Sequence, residues 1–73
     1  IKHGALKVTY NFDNGEAYHI IINPSKETFS YNFSKYVKII FNGKGKIPSG
    51  CDFYSQLLIV PAISFNICYQ RKD

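Results

Sequence analysis

Apolar and polar residues alternate along several stretches of this chain. Leu6, Val8, Tyr10 and Phe12 alternate with Lys7, Thr9 and Asn11, and a second apolar set, Tyr18, Ile20 and Ile22, follows Asn14-Gly15. Period-two alternation marks strands with one buried face, so residues 6–22 read as a β-hairpin. A two-residue Asn-Gly turn is the strongest short hairpin signal. Here it would pair Tyr10 with His19 and put Tyr18, Ile20 and Ile22 on the opposite face from Val8 and Tyr10. A one-residue slip of that kind flips every side chain. A three-residue loop, Asp13-Asn14-Gly15, removes the conflict: Phe12 faces Glu16, Tyr10 faces Tyr18, Val8 faces Ile20 and Leu6 faces Ile22. This is a type I turn followed by Gly15 in the left-handed region. The expectation is this register, with Leu6, Val8, Tyr10, Tyr18, Ile20 and Ile22 forming the buried side. A two-residue turn in a sheet buried on both faces is the alternative, supported by Ile21.

Asn23-Pro24-Ser25 breaks the sheet, because proline lacks the amide proton a central strand needs. Phe29, Tyr31 and Phe33 alternate again and are expected to fill the core. Helical spacing (Phe29, Phe33, Tyr36) also fits, but the Thr, Phe and Tyr enrichment of residues 28–33 favours a strand. Residues 36–41 are a further strand, with Val37, Ile39 and Phe41 sharing a face. Residues 42–46, Asn-Gly-Lys-Gly-Lys, form a basic glycine-rich loop without Walker spacing, better read as a solvated turn than as a phosphate site. Leu57-Leu58-Ile59-Val60 is apolar on both parities and suits a doubly buried strand. A short helix over 53–60 fits too, with Asp52 as N-cap, Phe53 against Leu57, Tyr54 against Leu58, and Pro61 as the stop. The helix is preferred. Ile63, Phe65, Ile67 and Tyr69 then alternate with Ser64, Asn66 and Cys68 as the last strand. Residues 70–73 are expected to be a frayed polar tail.

At 73 residues the chain is one small domain with a marginal core. Domains of this size are often stapled by a disulfide, a metal or oligomerisation. Cys51 and Cys68 enclose sixteen residues, and a bridge between them would contribute about 3 kcal/mol in the chain-entropy model. The alternative is two free, buried thiols. The bridge is preferred, because small size and an oxidising compartment go together; a secreted or periplasmic location follows from it. The chain holds no Met and starts at Ile1, as expected of a mature product whose leader has been removed or of a trimmed chain. No run approaches the roughly 20 apolar residues of a membrane span, so a soluble chain is expected. The net charge of +4 is a modest excess, compatible with an acidic partner or simply with solubility.

Catalysis needs convergent polar groups with tuned pKa values, and the candidates are thin. His19 falls opposite Thr9 on what reads as the wet face of the hairpin. Asp13 and Glu16 flank the turn and suit turn chemistry. There is no Cys-His pair at metal spacing and no serine motif, so a non-enzymatic chain without cofactor or metal is expected. Asn32-Phe33-Ser34 fits the N-glycosylation pattern, although Phe33 reads as core and a chance match is preferred. Lys35, Tyr36 and Lys38, with Lys44 and Lys46 in the basic loop, are the candidate binding surface. Aromatic and basic residues interleave from Tyr31 to Lys38, as in single-strand nucleic-acid binders. Tyr31 and Phe33, with Phe29, are needed for the core, however, and the charge excess is low for that role.

The run Asp52-Phe53-Tyr54-Ser55-Gln56-Leu57-Leu58-Ile59-Val60, with Ala62-Ile63-Ser64-Phe65-Asn66-Ile67-Cys68-Tyr69 after it, resembles the helix-then-strand passage of the B subunits of bacterial AB5-type toxins. The resemblance covers the last quarter of the chain. It departs at Pro61-Ala62-Ile63, where that family has a glycine-containing turn. It implies a small secreted OB-fold subunit that forms rings, recognises a glycan and assembles with a toxin A-type subunit; no glycan-binding residue can be carried over. Taken together, the chain reads as a mainly β domain, a small antiparallel OB-like barrel or sandwich of about five strands with one short helix near 53–60. The function expected is a secreted binding subunit for a glycan or protein, as a possible oligomer. The alternatives are a small secreted or periplasmic inhibitor or exclusion protein with one protein target, and a nucleic-acid-binding OB-like domain.

Overall fold

The computed structural model describes residues 2–43 and 54–72. A 3-10 turn, Lys2–Gly4, precedes five strands: β1 (Leu6–Asn11), β2 (Ala17–Asn23), β3 (Phe29–Asn42), β4 (Tyr54–Val60) and β5 (Ser64–Gln70). They form one antiparallel sheet in the order β1-β2-β5-β3-β4. The sheet is open, so the fold is a bent sheet and not a closed barrel. No α-helix occurs among the described residues. In particular, the helix expected over 53–60 is strand β4. The β-branched Ile59 and Val60 favour extended backbone, and the first half of β3 takes β4 as its pairing partner, Phe29 opposite Val60 and Asn32 opposite Leu57. Asp52 and Phe53, the expected cap and packing residue of that helix, lie outside the described residues.

The hairpin has the three-residue loop and the register that the alternation demands. Tyr10 faces Tyr18, Val8 faces Ile20 and Leu6 faces Ile22. The Phe12 amide donates to the Glu16 carbonyl at 2.9 Å, the Gly15 amide to the Phe12 carbonyl at 3.2 Å, and Gly15 has φ +94°. Residues 28–33 and 36–41 are not separate strands. They are two arms of β3, joined where the ladder to β4 slips between Asn32 and Val37.

That slip lets β3 bend until its ends meet. Phe29 at its start pairs with Val60, the residue before Pro61. At its other end, a Cβ placed on Gly43 would lie 3.2 Å from Ser64 Cβ and 3.3 Å from Pro61 Cγ. The first arm of β3, with β4, thus folds over the layer made by β1, β2, β5 and the second arm. The core lies between the layers. Ile21 and Cys68 come from one side, Phe29, Phe33, Val37, Leu58 and Val60 from the other, with Ala5 beside them and Tyr31 and Ile39 packed against the cluster. Each fully buried aliphatic or aromatic side chain here stabilises by about 1.5–3 kcal/mol.

The sense of the faces is the main departure from the sequence reading. On β2 the buried positions are Ala17, His19, Ile21 and Asn23, and on β5 they are Ser64, Asn66 and Cys68. The alternating apolar sets of β1, β2 and β5 point outward. A bulge between Ile39 and Phe41 turns Phe41 outward as well, opposite Ile67, while Ile39 stays inward opposite Cys68. Most polar groups at the inner positions are satisfied locally, whereas the side-chain oxygens of Asn42 and Asn66, paired across β3 and β5, are buried without a hydrogen-bond partner. Asn23 Nδ2 donates to the carbonyls of Glu27 (2.8 Å) and Pro61 (2.9 Å), and its Oδ1 accepts from the Ser25 amide and hydroxyl. Asn66 Nδ2 donates to the Ile21 carbonyl at 3.2 Å and to Ser64 Oγ at 2.9 Å. Lys7, also turned inward, lies half-buried with its ammonium donating to Tyr31 Oη at 2.9 Å, near the Tyr31 and Phe33 ring faces. Its aliphatic stem covers apolar surface while the charge sits on the rings.

Candidate functional site

The outward face of β1, β2, β5 and the second arm of β3 consists of three cross-strand rows. One row is Leu6, Ile22 and Phe65; the next is Val8, Ile20, Ile67 and Phe41; the third is Tyr10, Tyr18, Tyr69 and Lys38. Lys38 is the only charged member of the three. Leu6 (56% exposed), Tyr10 (63%), Val8, Tyr18, Ile22 and Phe65 all present apolar surface to solvent. The outward positions of a layered β fold are ordinarily polar. The rings reinforce one another: Phe12 packs against Tyr10 and Tyr18 with centroids 5.0 and 5.8 Å away, Tyr18 against Tyr69 at 5.3 Å, and Phe41 edge-on to Phe65 at 6.0 Å. Such pairs contribute about 0.5–1.5 kcal/mol each beyond burial and hold a rigid aromatic surface.

The hairpin loop braces one end of this face. The Tyr69 hydroxyl donates to a Glu16 carboxylate oxygen, and Asn14 Nδ2 donates to the other at 2.6 Å. Those two hydrogen bonds hold the Glu16 carboxyl below its ordinary range, and the Glu16 partner pushes the Tyr69 phenol up to about 12.

A cleft of about 390 Å3 opens beside the tyrosine row, lined by Ser34, Lys35, Tyr36, Tyr54, Gln56 and Arg71. Tyr54 is placed there by its pairing with Lys38 on β3. The Arg71 guanidinium lies over the Tyr54 ring, 4.5 Å from its centroid. Gln56 is fixed by a 3.1 Å bond from its amide to the Ser34 carbonyl. Of the binding residues expected from the sequence, Lys35 and Tyr36 line this cleft, and Lys38 closes the tyrosine row between Tyr69 and Tyr54. Lys44 and Lys46 lie outside the described residues. Arg71, Tyr54 and Gln56 were not among the expected binding residues. Arg71 fell in the expected frayed tail and the other two in the expected helix; the pairing of β4 with β3 brings Tyr54 and Gln56 to Tyr36, and the pairing of β5 with β3 brings Arg71.

His19 is not on a wet face. It lies buried on the inner side, its ring 4.9 Å from Phe33, with Nδ1 3.0 Å from Thr9 Oγ1 and Nε2 3.0 Å from Gln70 Oε1. Burial, foremost, holds its pKa below the ordinary value. Both ring nitrogens are occupied, so the ring is built into the inner side of the sheet. Cys68 is a free thiol at the centre of the core, where burial pushes its pKa up to about 11; Cys51 lies outside the described residues. Among the described residues, no group of three or more His, Cys, Asp and Glu side chains is placed to hold a metal ion, and no helix is long and apolar enough to cross a membrane.

No protein-family model, curated protein or solved structure matches the chain. The passage that resembles toxin B subunits is strand, turn and strand here, with Ile63 of the turn at φ +45°.

Proposed function

We propose that this protein is a non-enzymatic binding subunit that docks a protein partner through the outer face of β1, β2 and β5. One observation carries the reading. Three consecutive cross-strand rows, facing away from the core, hold ten apolar or aromatic side chains and a single lysine. Soluble monomers rarely expose contiguous apolar patches beyond a few hundred Å2, and larger ones mark interaction surfaces. Aromatic residues are enriched in such interfaces because they supply large, rigid contact area. A secreted or periplasmic site of action belongs to this reading; there the Cys68 thiol, unbridged among the described residues, would pair with Cys51, because a core this small gains from a covalent staple. Intact mass before and after reduction tests the bridge.

The docking test is partner capture by the immobilised chain. Val8→Lys and Tyr10→Lys each place a charge on the face without touching the core, and each should weaken capture at least tenfold. Thr28→Lys, which adds the same charge in the exposed β2–β3 loop, should not. Capture undiminished by either face variant would overturn the reading.

A second reading is favoured by the cleft. Arg71 stacked on Tyr54, an exposed Tyr36 and the fixed Gln56 amide offer ring faces and donors suited to an acidic sugar. Titration with sialylated glycans tests it. Tyr36→Ala and Arg71→Ala should abolish binding there and leave protein capture intact.

A further inference from the structure

We infer that the partner seated on the outer face is a second copy of this chain, packed face to face about a twofold axis that runs along the Val8–Ile20–Ile67–Phe41 row. The inference rests on the docking role proposed above and names its occupant. Area is the first argument. The exposed parts of the side chains in the three rows, with Phe12, amount to roughly 800 Å2, about what each partner gives to a standard protein interface. Spread over a total surface of 4974 Å2, this is more than a monomer of this size ordinarily leaves bare.

Charge is the second argument. The chain carries +4, so two copies repel unless they meet where the charge is not. The three rows are that place. Lys7 points inward to Tyr31, Lys26 and Lys72 lie in loop and tail, and among the described residues Lys38, the Tyr69-bound Glu16 and the cleft residues Lys35 and Arg71 stay at the rim. With a single marginal lysine, the face offers a foreign partner almost no charge to read, and it offers a copy of itself almost nothing to repel.

Shape is the third. The β1–β2 and β2–β5 ladders run without a bulge, giving a regular pleated surface. Regular sheet faces pack on one another about 10 Å apart with strands nearly aligned. A twofold along the central row leaves that row on its own symmetry mate, an isologous contact. It also sets the aliphatic row Leu6–Ile22–Phe65 of one copy against Tyr10–Tyr18–Tyr69 of the other. The tyrosines then cover aliphatic surface with their rings and keep their hydroxyls toward the rim, where water or Glu16 satisfies them.

The experiment is sedimentation equilibrium of the full chain from micromolar to millimolar concentration, alongside the capture assay above. The expected result is a mass rising to twice 8.4 kDa, an association weakened at least hundredfold by Val8→Lys, since the charge is buried twice in a symmetric pair, and no change with Thr28→Lys. Leu6→Glu, at a position more than half exposed, is the second face variant and should act in the same direction; circular dichroism confirms that each variant is folded. A chain that stays monomeric at millimolar concentration overturns the inference, as does a dimer that both face variants leave intact. A monomeric chain whose partner capture is nonetheless lost in Val8→Lys overturns only the second copy and leaves the docking role with a different occupant.

Discussion

Ile21 and Ile22 are neighbours on β2, and replacing each in turn by alanine tests which face is the core. Ile21 is completely buried against the inner cluster, whereas Ile22 is 39% exposed and touches its row-mates Leu6 and Phe65 on the outer face. Truncating a fully buried isoleucine costs about 3–4 kcal/mol, from lost transfer energy and the cavity left behind. For Ile22 the same atoms are only partly withdrawn from water, and solvent fills the space they leave. Its cost is about 1–1.5 kcal/mol, from roughly 0.8 kcal/mol per buried methylene scaled by exposure. A domain of this length is stable by only about 4–11 kcal/mol, so Ile21→Ala removes about a quarter of the total or more, and Ile22→Ala about a third as much. Urea unfolding followed by far-ultraviolet circular dichroism measures both. Because association stabilises the folded state by an amount that rises with the logarithm of chain concentration, the titrations are run at micromolar and at hundredfold higher concentration. The Ile22→Ala penalty should grow with concentration, and the Ile21→Ala penalty should not. Equal penalties at the lowest concentration would refute the assignment of inner and outer faces.

Three further outcomes follow from single residues. The buried His19 is bound in its neutral form with a lowered pKa, so the unfolded chain takes up its proton first: stability is full above the ordinary value of 6.5 and declines as pH falls below it. His19→Gln should flatten that limb of the urea midpoint against pH. Gly15→Ala puts a Cβ at φ +94° and 3.3 Å from Lys72 Cβ, and should cost about 1–2 kcal/mol in chemical denaturation. Ile63, a β-branched residue at φ +45°, is strained by about 1–3 kcal/mol. Ile63→Gly should therefore raise the thermal midpoint, by an amount corresponding to about 1 kcal/mol once the entropy of the added glycine is subtracted.

The hairpin register was legible because it depends on local arithmetic: the parity of Tyr10 and Tyr18 admits one loop length. The core role of Phe29 and Phe33 was legible for the same reason, since both alternate on an otherwise polar strand. The sense of the faces was not. Alternation shows that a strand has two unlike sides, and the greasier side is ordinarily the buried one. In β1, β2 and β5 it is the outer one, because the inner positions are small or mutually hydrogen-bonded (Ala17, Asn23, Ser64, Asn66) and leave room for Phe29, Phe33 and Leu58 from the overlying layer. Residues 54–60 misled for a different reason. Leu57 to Val60 satisfy strand and helix alike, and only the long-range demand of β3 for a partner decides between them. The cleft could not be foreseen, since Tyr36, Tyr54 and Arg71 converge through pairings that span the length of the chain.

The bend in β3 also decides where this molecule can come apart. A fold made of two separable sheets can part along the seam between them. Here one continuous strand is stitched into both layers, and parting them means tearing its hydrogen-bonded ladders to β4 and β5. Partial opening is therefore directed to the periphery, and β1, an edge strand like β4 but paired with β2 and not with the bent strand, is the element with the least to lose. The margin most ready to fray is thus also a border of the bare aromatic surface. Whatever settles on that surface would act as a clasp on the hairpin, and occupancy should register as slowed hydrogen exchange at the amides of Leu6 to Asn11.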